Sequence, residues 1–173
     1  MAGWLLKTEP TVYSYDDLER DQKTVWDGVS NNLALKHIRQ FQKGDLALVY
    51  HTGEEKAIVG IAEVASAAYA DPKQNDPRLA VFYLKPKRKL ARAVGLAEVK
   101  ANEKLKDFEL VRMARLSVMP VNDVVWKILM KMAGEKLAGL TSAPVSIQCS
   151  RQPLTVLLRQ IAAFSHQTED GQH

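Results

Sequence analysis

The sequence lacks the short motifs on which the common enzyme classes depend. Its nine glycines form neither the GxGxxG nor the GxxxxGK pattern, so neither common phosphate-cradling loop is present. The four histidines have no metal-ligand spacing, and the single cysteine, Cys149, cannot complete a zinc cluster or an internal disulfide. A GxSxG nucleophile elbow is also missing. We therefore predict a protein that is not an enzyme and uses no metal and no cofactor, although acid–base chemistry by scattered groups stays open.

Length and charge are those of an ordinary small globular protein. The 173 residues are 46% hydrophobic and 25% charged, which suits one domain with a sizeable core. The net charge of +4 permits a polyanionic partner without requiring one. One cysteine fits a reducing compartment, and the N-terminal apolar run is too short for a signal peptide or a membrane span. We expect a cytoplasmic protein.

Strand-like and helix-like segments are mixed along the chain. Short apolar runs predict strands at residues 3–7, 45–51, 57–65, 78–87 and 115–121. A capping box at Ser14 and Asp17 predicts a short helix, and longer helices are predicted after Asn31 and Asn122. The strands are too short and interrupted for a doubly wound sheet, so we predict an α+β fold, a small curled sheet or barrel with helices outside it. Residues 1–139 form the predicted domain and residues 140–173 a partly helical or poorly ordered extension.

Four segments place polar or aromatic side chains where a strand ends or a helix begins, namely WLLKTEP, VWDGVSN, LVYH and RLSVMP. Such ends line clefts in many folds. Trp26 is either a core residue or a platform for a flat ligand, and the adjoining Asp27 and Gly28 favour a ring held near the surface. Asn31 either caps a helix or reads a base edge, because an amide offers both a donor and an acceptor.

The same segments supply the other candidates for this cleft: Lys7, Thr8, Glu9, Tyr50, His51, Arg115 and Ser117. The first five have a structural alternative. The first three could simply be a surface exit from a strand, and Tyr50 and His51 could form a barrel rim with a solvated imidazole. Strand alternation predicts that Arg115 and Ser117 point to the same side.

A run of five cations without an intervening acid begins at the end of the predicted strand at 78–87 and continues beyond it: Lys85, Lys87, Arg88, Lys89 and Arg92. Such runs are usually solvated loops. Five unpaired cations in eight residues could also contact a phosphate backbone.

Taken together in order and spacing, these segments resemble the EVE domain family of PUA-like proteins. The resemblance extends from Trp4 to about Ala133 and rests on WLLKTEP, YSYDDL, WDGVSNNLA, the GD of KGDLALVYH, IVGIAEV, YADP and RLSVMPV. It implies a PUA-like pseudo-barrel with flanking helices and a non-enzymatic protein that binds a modified base in nucleic acid. The related YTH and SRA domains hold a methylated base in a comparable cleft. The family usually has WDGVRN, and Ser30 here replaces the arginine, so any phosphate contact or pocket wall built on that arginine is lost or moved.

The resulting hypothesis is a base reader. A base stacks on Trp26, its polar edge contacts Thr8, Asn31 and Ser117, and Lys7, Arg115 and the basic run hold the flanking phosphates. Because unstacking a base from a duplex costs a few kcal/mol, single-stranded or flipped bases are favoured.

Two other classes of function stay open. The related ASCH domains share the architecture, and some hydrolyse acylated nucleosides with lysine, threonine and glutamate, the types found at Lys7, Thr8 and Glu9. Strand alternation predicts that three consecutive residues do not all face one pocket, which disfavours this hydrolase. The third class is a protein-interaction module that uses residues 140–173.

Overall fold

The computed structural model describes residues 3–74, 76 and 78–135. In this range the strands are β1 (Gly3–Thr8), β2 (Thr24–Trp26), β3 (Leu46–His51), β4 (Ala57–Val64), β5 (Tyr69–Ala70), β6 (Ala80–Gly95) and β7 (Val118–Val121). The helices are α1 (Tyr15–Asp21), α2 (Asn32–Ile38), α3 (Leu96–Ala101), α4 (Glu109–Arg112) and α5 (Asp123–Met132), with one 3₁₀ turn at Glu103–Leu105. The predicted extension at 140–173, with Cys149, lies outside the described residues. No described helix has the length and apolar character that a bilayer crossing requires.

The strands form one mixed, curled sheet in the order β2-β6-β4-β3-β1-β7, and β5 pairs with β6. The β1–β3 pair is parallel and the other pairs are antiparallel. The register shifts within the β3–β4 pair and twice within the β4–β6 pair. Because such bulges bend a strand and increase its twist, they account for the curl of the sheet into a half-barrel. The predicted α+β class with a small curled sheet and flanking helices is confirmed.

Tyr15, at the start of α1, joins that helix to the centre of the sheet. Its ring is fully buried, and its hydroxyl donates to the carbonyl of Ile61 at 2.7 Å. Burial raises the pKa of this phenol to about 12. The ring lies directly on Gly60, where a Cβ would be 2.7 Å from Cδ2 of Tyr15 and closer still to Cε2 and Cζ. The glycine in IVGIAEV and the second tyrosine in YSYDDL therefore form one packing unit.

Trp4 of β1 anchors the turn that leads into β3. Its indole nitrogen donates to the Asp45 carboxylate at 2.9 Å, and Gly44, with a φ of +95°, permits the turn immediately before that carboxylate. The ring packs against Phe41 at 4.6 Å between centroids. The hydrogen bond from Trp4 explains the GD pair in KGDLALVYH: the glycine permits the turn, and the acid accepts the bond that holds Trp4 of β1 beside it.

Three differences from the predicted elements bear on the site. Strand β6 runs without a break from Ala80 to Gly95, because Leu90 and Val94 are buried and keep the chain on the sheet beyond the expected loop. Strand β2 was not predicted from its three residues. Strand β7 begins only at Val118, since Leu116 closes a turn by donating to the carbonyl of Met113 at 3.1 Å.

Candidate functional site

A cleft of about 810 Å³ opens where β1 ends and where the chain turns after β2. Six of the predicted residues line it: Lys7, Thr8, Glu9, Trp26, Asp27 and Ser117. The structure therefore brings together three of the four segments that were singled out in the sequence. The cleft has the size of typical ligand pockets, which are about 300–1,000 Å³.

Trp26 is the last residue of β2 and forms part of the cleft wall. Pairing with Phe82 of β6 holds its backbone, and Gly28, with a φ of +76°, lets the chain turn away directly afterwards. The residue is 8% exposed, so most of the ring packs in the core and a small part of its surface remains accessible. Within the described part of the chain its indole nitrogen has no hydrogen-bond acceptor, in contrast to that of Trp4. Trp26 thus combines a core position with a place on the cleft wall.

Lys7 connects the cleft to the segment that precedes β7. Its backbone nitrogen donates to the carbonyl of Ser117 at 2.9 Å, and its ammonium donates to the carbonyl of Ala114 at 2.9 Å. The ammonium also lies 5.8 Å from the centroid of the Tyr50 ring. Burial lowers the pKa of Lys7, since the charged form loses hydration. Lys7 is a cation of the cleft that is held in position by a backbone carbonyl.

Thr8 and Glu9 line the same cleft, which corrects the expectation from strand alternation. The physical reason is that β1 ends at Thr8, so Glu9 no longer follows the strand direction. The Thr8 hydroxyl donates to the carbonyl of Tyr13 at 2.7 Å. The Glu9 carboxylate accepts a hydrogen bond from Thr52 at 2.5 Å, and it packs against Gly53. Lys7, Thr8 and Glu9 share the cleft, and each is already held by a protein partner.

The sequence reasoning missed several lining residues, of which the most important are Tyr13, Lys23 and Tyr83. The Lys23 ammonium lies 3.8 Å from the centroid of the Tyr83 ring, which is a cation–π contact. Strand alternation could have located Tyr83, because its neighbours Phe82 and Leu84 are fully buried and Tyr83 must face the other way. No local signal identifies Tyr13 or Lys23, which reach the cleft through tertiary packing.

Charge in the cleft is mixed. Lys7, Lys23 and Lys73 supply cations, and Glu9 and Asp27 supply carboxylates. Asp27 and Lys73 approach each other at 3.5 Å, with both side chains largely exposed, so the pair is weak. Within the range that the structure describes, no three histidine, cysteine, aspartate or glutamate side chains converge as a metal site would require. The arrangement can donate to, and accept from, the polar edge of a flat ligand.

The structure does not bring Tyr50 and His51 to this cleft. Both are buried in β3, at 4% and 6% exposure, so the alternative of a solvated imidazole is wrong. His51 accepts at Nε2 from the backbone N–H of Tyr15 at 3.0 Å, which places its proton on Nδ1. Nδ1 lies 2.5 Å from the Glu55 carboxylate. His51 therefore ties the start of α1 to the end of β3.

Asn31 and Arg115 line a second, smaller groove of about 350 Å³ rather than the main cleft. Arg115 and Ser117 precede β7 instead of belonging to it, so strand alternation does not apply and they line different concavities. Asn31 is the N-cap of α2, and its Oδ1 accepts from the N–H groups of Leu33 and Ala34 at 2.9 and 3.1 Å. The helix-capping alternative is thus observed for Asn31, and its amino group is directed away from the cap.

Substitutions at Asn31 separate capping from ligand contact. Asn31→Ala removes the cap and should cost about 1 kcal/mol of unfolding free energy, whereas Asn31→Asp keeps a capping oxygen and should cost much less. Asn31→Asp also removes the amino donor but adds a negative charge, so weakened nucleic-acid binding reports a contact only if the neutral variant Asn31→Ser, which also keeps a capping oxygen, weakens it as well. Denaturant unfolding together with a binding titration measures both effects. Equal destabilisation by Asn31→Ala and Asn31→Asp would contradict the capping assignment.

The basic run belongs to β6, and the expectation that its cations are unpaired is wrong. Four of the five form ion pairs with acids from other parts of the chain: Lys87 with Glu63 at 3.0 Å, Arg92 with Glu98 at 2.8 Å, Arg88 with Glu135, and Lys89 with Asp16. Lys85 is exposed at the edge of this group. The sequence has no acid within the run, but the tertiary fold places acidic partners from elsewhere in the chain beside it. None of the five residues lines the cleft.

Together, the curled mixed sheet, the flanking helices and the cleft at the strand ends define a small PUA-like α+β domain. The chain belongs to the EVE domain family, whose family model matches residues 2–132. This match agrees with the resemblance that the sequence motifs indicated.

Several known proteins are similar to the chain. Thymocyte nuclear protein 1 of Gallus gallus is 28% identical, with 77% of this chain and 69% of that protein covered. The NMR structure of Rpa0253 from Rhodopseudomonas palustris is 40% identical and superimposes with a TM-score of 0.74, covering 78% of this chain and 94% of that one. The human THYN1 protein, solved in complex with DNA that contains 5-methylcytosine, is 25% identical, with a TM-score of 0.72 and coverage of 79% and 99%. An ASCH protein from Zymomonas mobilis, at 13% identity and a TM-score of 0.52, shares the fold alone.

Proposed function

We propose that this protein binds nucleic acid and holds one modified base in the main cleft. One observation carries the proposal: the chain shares its fold and family with a human protein solved on DNA that contains 5-methylcytosine, and its own cleft is lined by aromatic and polar side chains. The proposed role is that of a binding module rather than an enzyme.

Aromatic surface provides the first contribution to binding. Trp26 and Tyr83 both line the cleft. A flat base can rest directly against the accessible part of the Trp26 ring, whereas on Tyr83 it must first displace the Lys23 ammonium that lies over the ring. Stacking one base on an aromatic side chain contributes about 1–3 kcal/mol. Extraction of the base from a duplex costs a few kcal/mol, so we expect preference for a single-stranded, mismatched or readily flipped base.

Polar groups provide the second contribution. Glu9 is an acceptor when ionised, and Thr8 and Ser117, which carry hydroxyl groups, line the same cleft. A carboxylate pairs with the exocyclic amino group that cytosine and adenine carry. Lys7 is available to a carbonyl oxygen or a phosphate. The lining therefore favours a base with an amino group on its polar edge.

The selectivity for a modified base over its unmodified form has an upper limit. One methyl group in an apolar pocket contributes about 1–3 kcal/mol of selectivity. Val25 and Val29 provide apolar surface in the cleft for such a group. We therefore expect a preference of roughly 5- to 150-fold for the cognate modified base over its unmodified form.

A titration against matched oligonucleotides tests the proposal. The probes are single strands and duplexes of DNA and RNA with cytosine, 5-methylcytosine, 5-hydroxymethylcytosine or N6-methyladenine at one central position. We expect one modified base to bind more tightly than its parent, by quenching of tryptophan fluorescence and by anisotropy of a labelled strand. Equal affinity for all the bases, or no binding, would overturn the assigned function.

A nucleoside amidohydrolase is the second candidate, and one observation favours it: Lys7, Thr8 and Glu9 do line a common cleft. Their existing hydrogen bonds to Ala114, Tyr13 and Thr52 hold the three groups in place without leaving a pair in mutual contact. Incubation with N4-acetylcytidine distinguishes the candidates. If the protein releases acetate and Lys7→Met abolishes this release, the protein is a hydrolase. If the nucleoside is unchanged, the hydrolase is excluded and the binding module is the remaining candidate.

A further inference from the structure

The smaller groove beside the cleft has the properties of a second nucleic-acid subsite. It is lined by Asn31, Leu33 and residues 112–116, and we call it the arginine groove after Arg112 and Arg115. We propose that the arginine groove holds the phosphates next to the base in the main cleft, an inference that rests on the proposed function.

The two arginines are the first support for this assignment. Both are exposed, and neither has an acidic partner among the residues that the structure describes. Four cations of the basic run on β6 are already paired with Asp16, Glu63, Glu98 and Glu135. A guanidinium presents a planar set of donors that matches a phosphate in two-point contact. An arginine without an acidic partner binds a phosphate more favourably than a cation whose existing ion pair with a carboxylate must first be broken.

Continuity with the main cleft is the second support. The segment from Met113 to Ser117 forms a common wall, with Ser117 in the cleft and Met113 to Leu116 in the arginine groove. Lys7, which lines the cleft, holds this wall in place through a hydrogen bond from its ammonium to the carbonyl of Ala114 at 2.9 Å. A strand that inserts one base in the cleft can therefore pass its neighbouring phosphates over the wall into the groove.

The remaining lining suits a nucleotide. Leu33 and Met113, at 38% and 41% exposure, are two of the four exposed large hydrophobic residues in the described part of the chain. They offer apolar surface to a sugar or to an adjacent base. Asn31 uses its oxygen to cap α2, so its amino group remains a donor at the edge of the groove.

The test uses the intact chain and a single-stranded DNA oligonucleotide with one central 5-methylcytosine. Affinity is measured over a salt series for the wild type, Arg112→Ala/Arg115→Ala and Arg112→Lys/Arg115→Lys. Loss of two phosphate contacts should reduce the slope of log K against log salt by about 1.4, and affinity at physiological salt by about tenfold. The lysine variant should keep most of the slope. Preference for 5-methylcytosine over cytosine should be unchanged in both, because the cleft is intact.

Two charge-matched variants serve as controls. Lys104→Ala/Lys106→Ala removes two exposed charges that line neither concavity, and Lys87→Ala/Lys89→Ala removes two paired charges of β6. Both should leave the slope near that of the wild type.

The inference is overturned if the arginine-to-alanine variant keeps the wild-type slope, if either control flattens it equally, or if the base preference falls with the affinity. In each of these cases wild-type binding still supports the proposed function. If the wild type binds no oligonucleotide, both proposals are wrong.

Discussion

Gly60→Ala will destabilise the protein by about 3 kcal/mol, the upper part of the range for an overpacked core. The added Cβ would lie 2.7 Å from Cδ2 of Tyr15, whereas carbon atoms in good contact are about 3.5–4.0 Å apart. The ring cannot easily move, because its hydroxyl is bonded to the Ile61 carbonyl and its backbone nitrogen to His51. Denaturant unfolding followed by circular dichroism measures the loss.

Gly95→Ala is the matched control for this prediction. A Cβ at Gly95 meets nothing within 4 Å, and its φ of −69° suits any residue. We expect a loss below about 1 kcal/mol, which comes only from alanine being a poorer N-cap of α3 than glycine. A second control replaces Tyr15 as well: in a Tyr15→Ala background the additional cost of Gly60→Ala should disappear. A Gly60→Ala protein as stable as the wild type would contradict the packing of Tyr15 on β4.

The sequence predicted well the features that local chemistry determines. Ser14 and Asp17 form the capping box of α1, and Asn122 accepts from Val125 at the start of α5. Gly134, with a φ of +73°, follows the end of that helix as its position in the sequence indicated. These features depend on residues within a few positions of one another, so one sequence is enough to identify them.

Features that depend on distant partners could not be predicted. The acids that neutralise Lys87, Arg88 and Lys89 lie 24, 47 and 73 positions away, so their run appeared unpaired in the sequence. The ring of His51 likewise accepts a hydrogen bond from the N-terminus of α1, a contact between residues 36 positions apart. Charge patterning along a strand gives no information on which acids the fold will place opposite it.

The candidate site was predicted in part, and the same physical limit explains the rest. The ends of β1 and β2 and the segment before β7 did converge, so Lys7, Trp26 and Ser117 line one cleft. Arg115 instead lines the adjacent groove, because a turn closes before β7 and redirects the chain. Asn31 lines the same groove from its position as the N-cap of α2. Position relative to a strand end locates a cleft, but it does not assign a side chain to one of two neighbouring concavities.

Substitutions of Trp26 should have the largest effect on binding. Because the residue is only 8% exposed, Trp26→Ala would also cost about 3–5 kcal/mol of stability, which makes that variant alone uninformative. Trp26→Leu keeps most of the apolar volume and removes the aromatic face, and Trp26→Phe keeps both a ring and most of the volume. If the base stacks on this ring, Trp26→Leu loses roughly 5- to 150-fold in affinity for the preferred oligonucleotide, equivalent to about 1–3 kcal/mol. Trp26→Phe should lose much less.

Trp126→Leu is the control that separates stacking from stability. Trp126 is 9% exposed, close to the value for Trp26, but it belongs to α5 and packs against Gly3 instead of lining the cleft. This variant should lose stability without losing affinity, as measured by denaturant unfolding and by anisotropy with the same labelled strand. If folded Trp26→Leu binds as tightly as Trp126→Leu, the base does not stack on Trp26. Tyr83 would then be the remaining strand-borne aromatic ring in the cleft, and Tyr83→Leu should show the loss that Trp26→Leu did not.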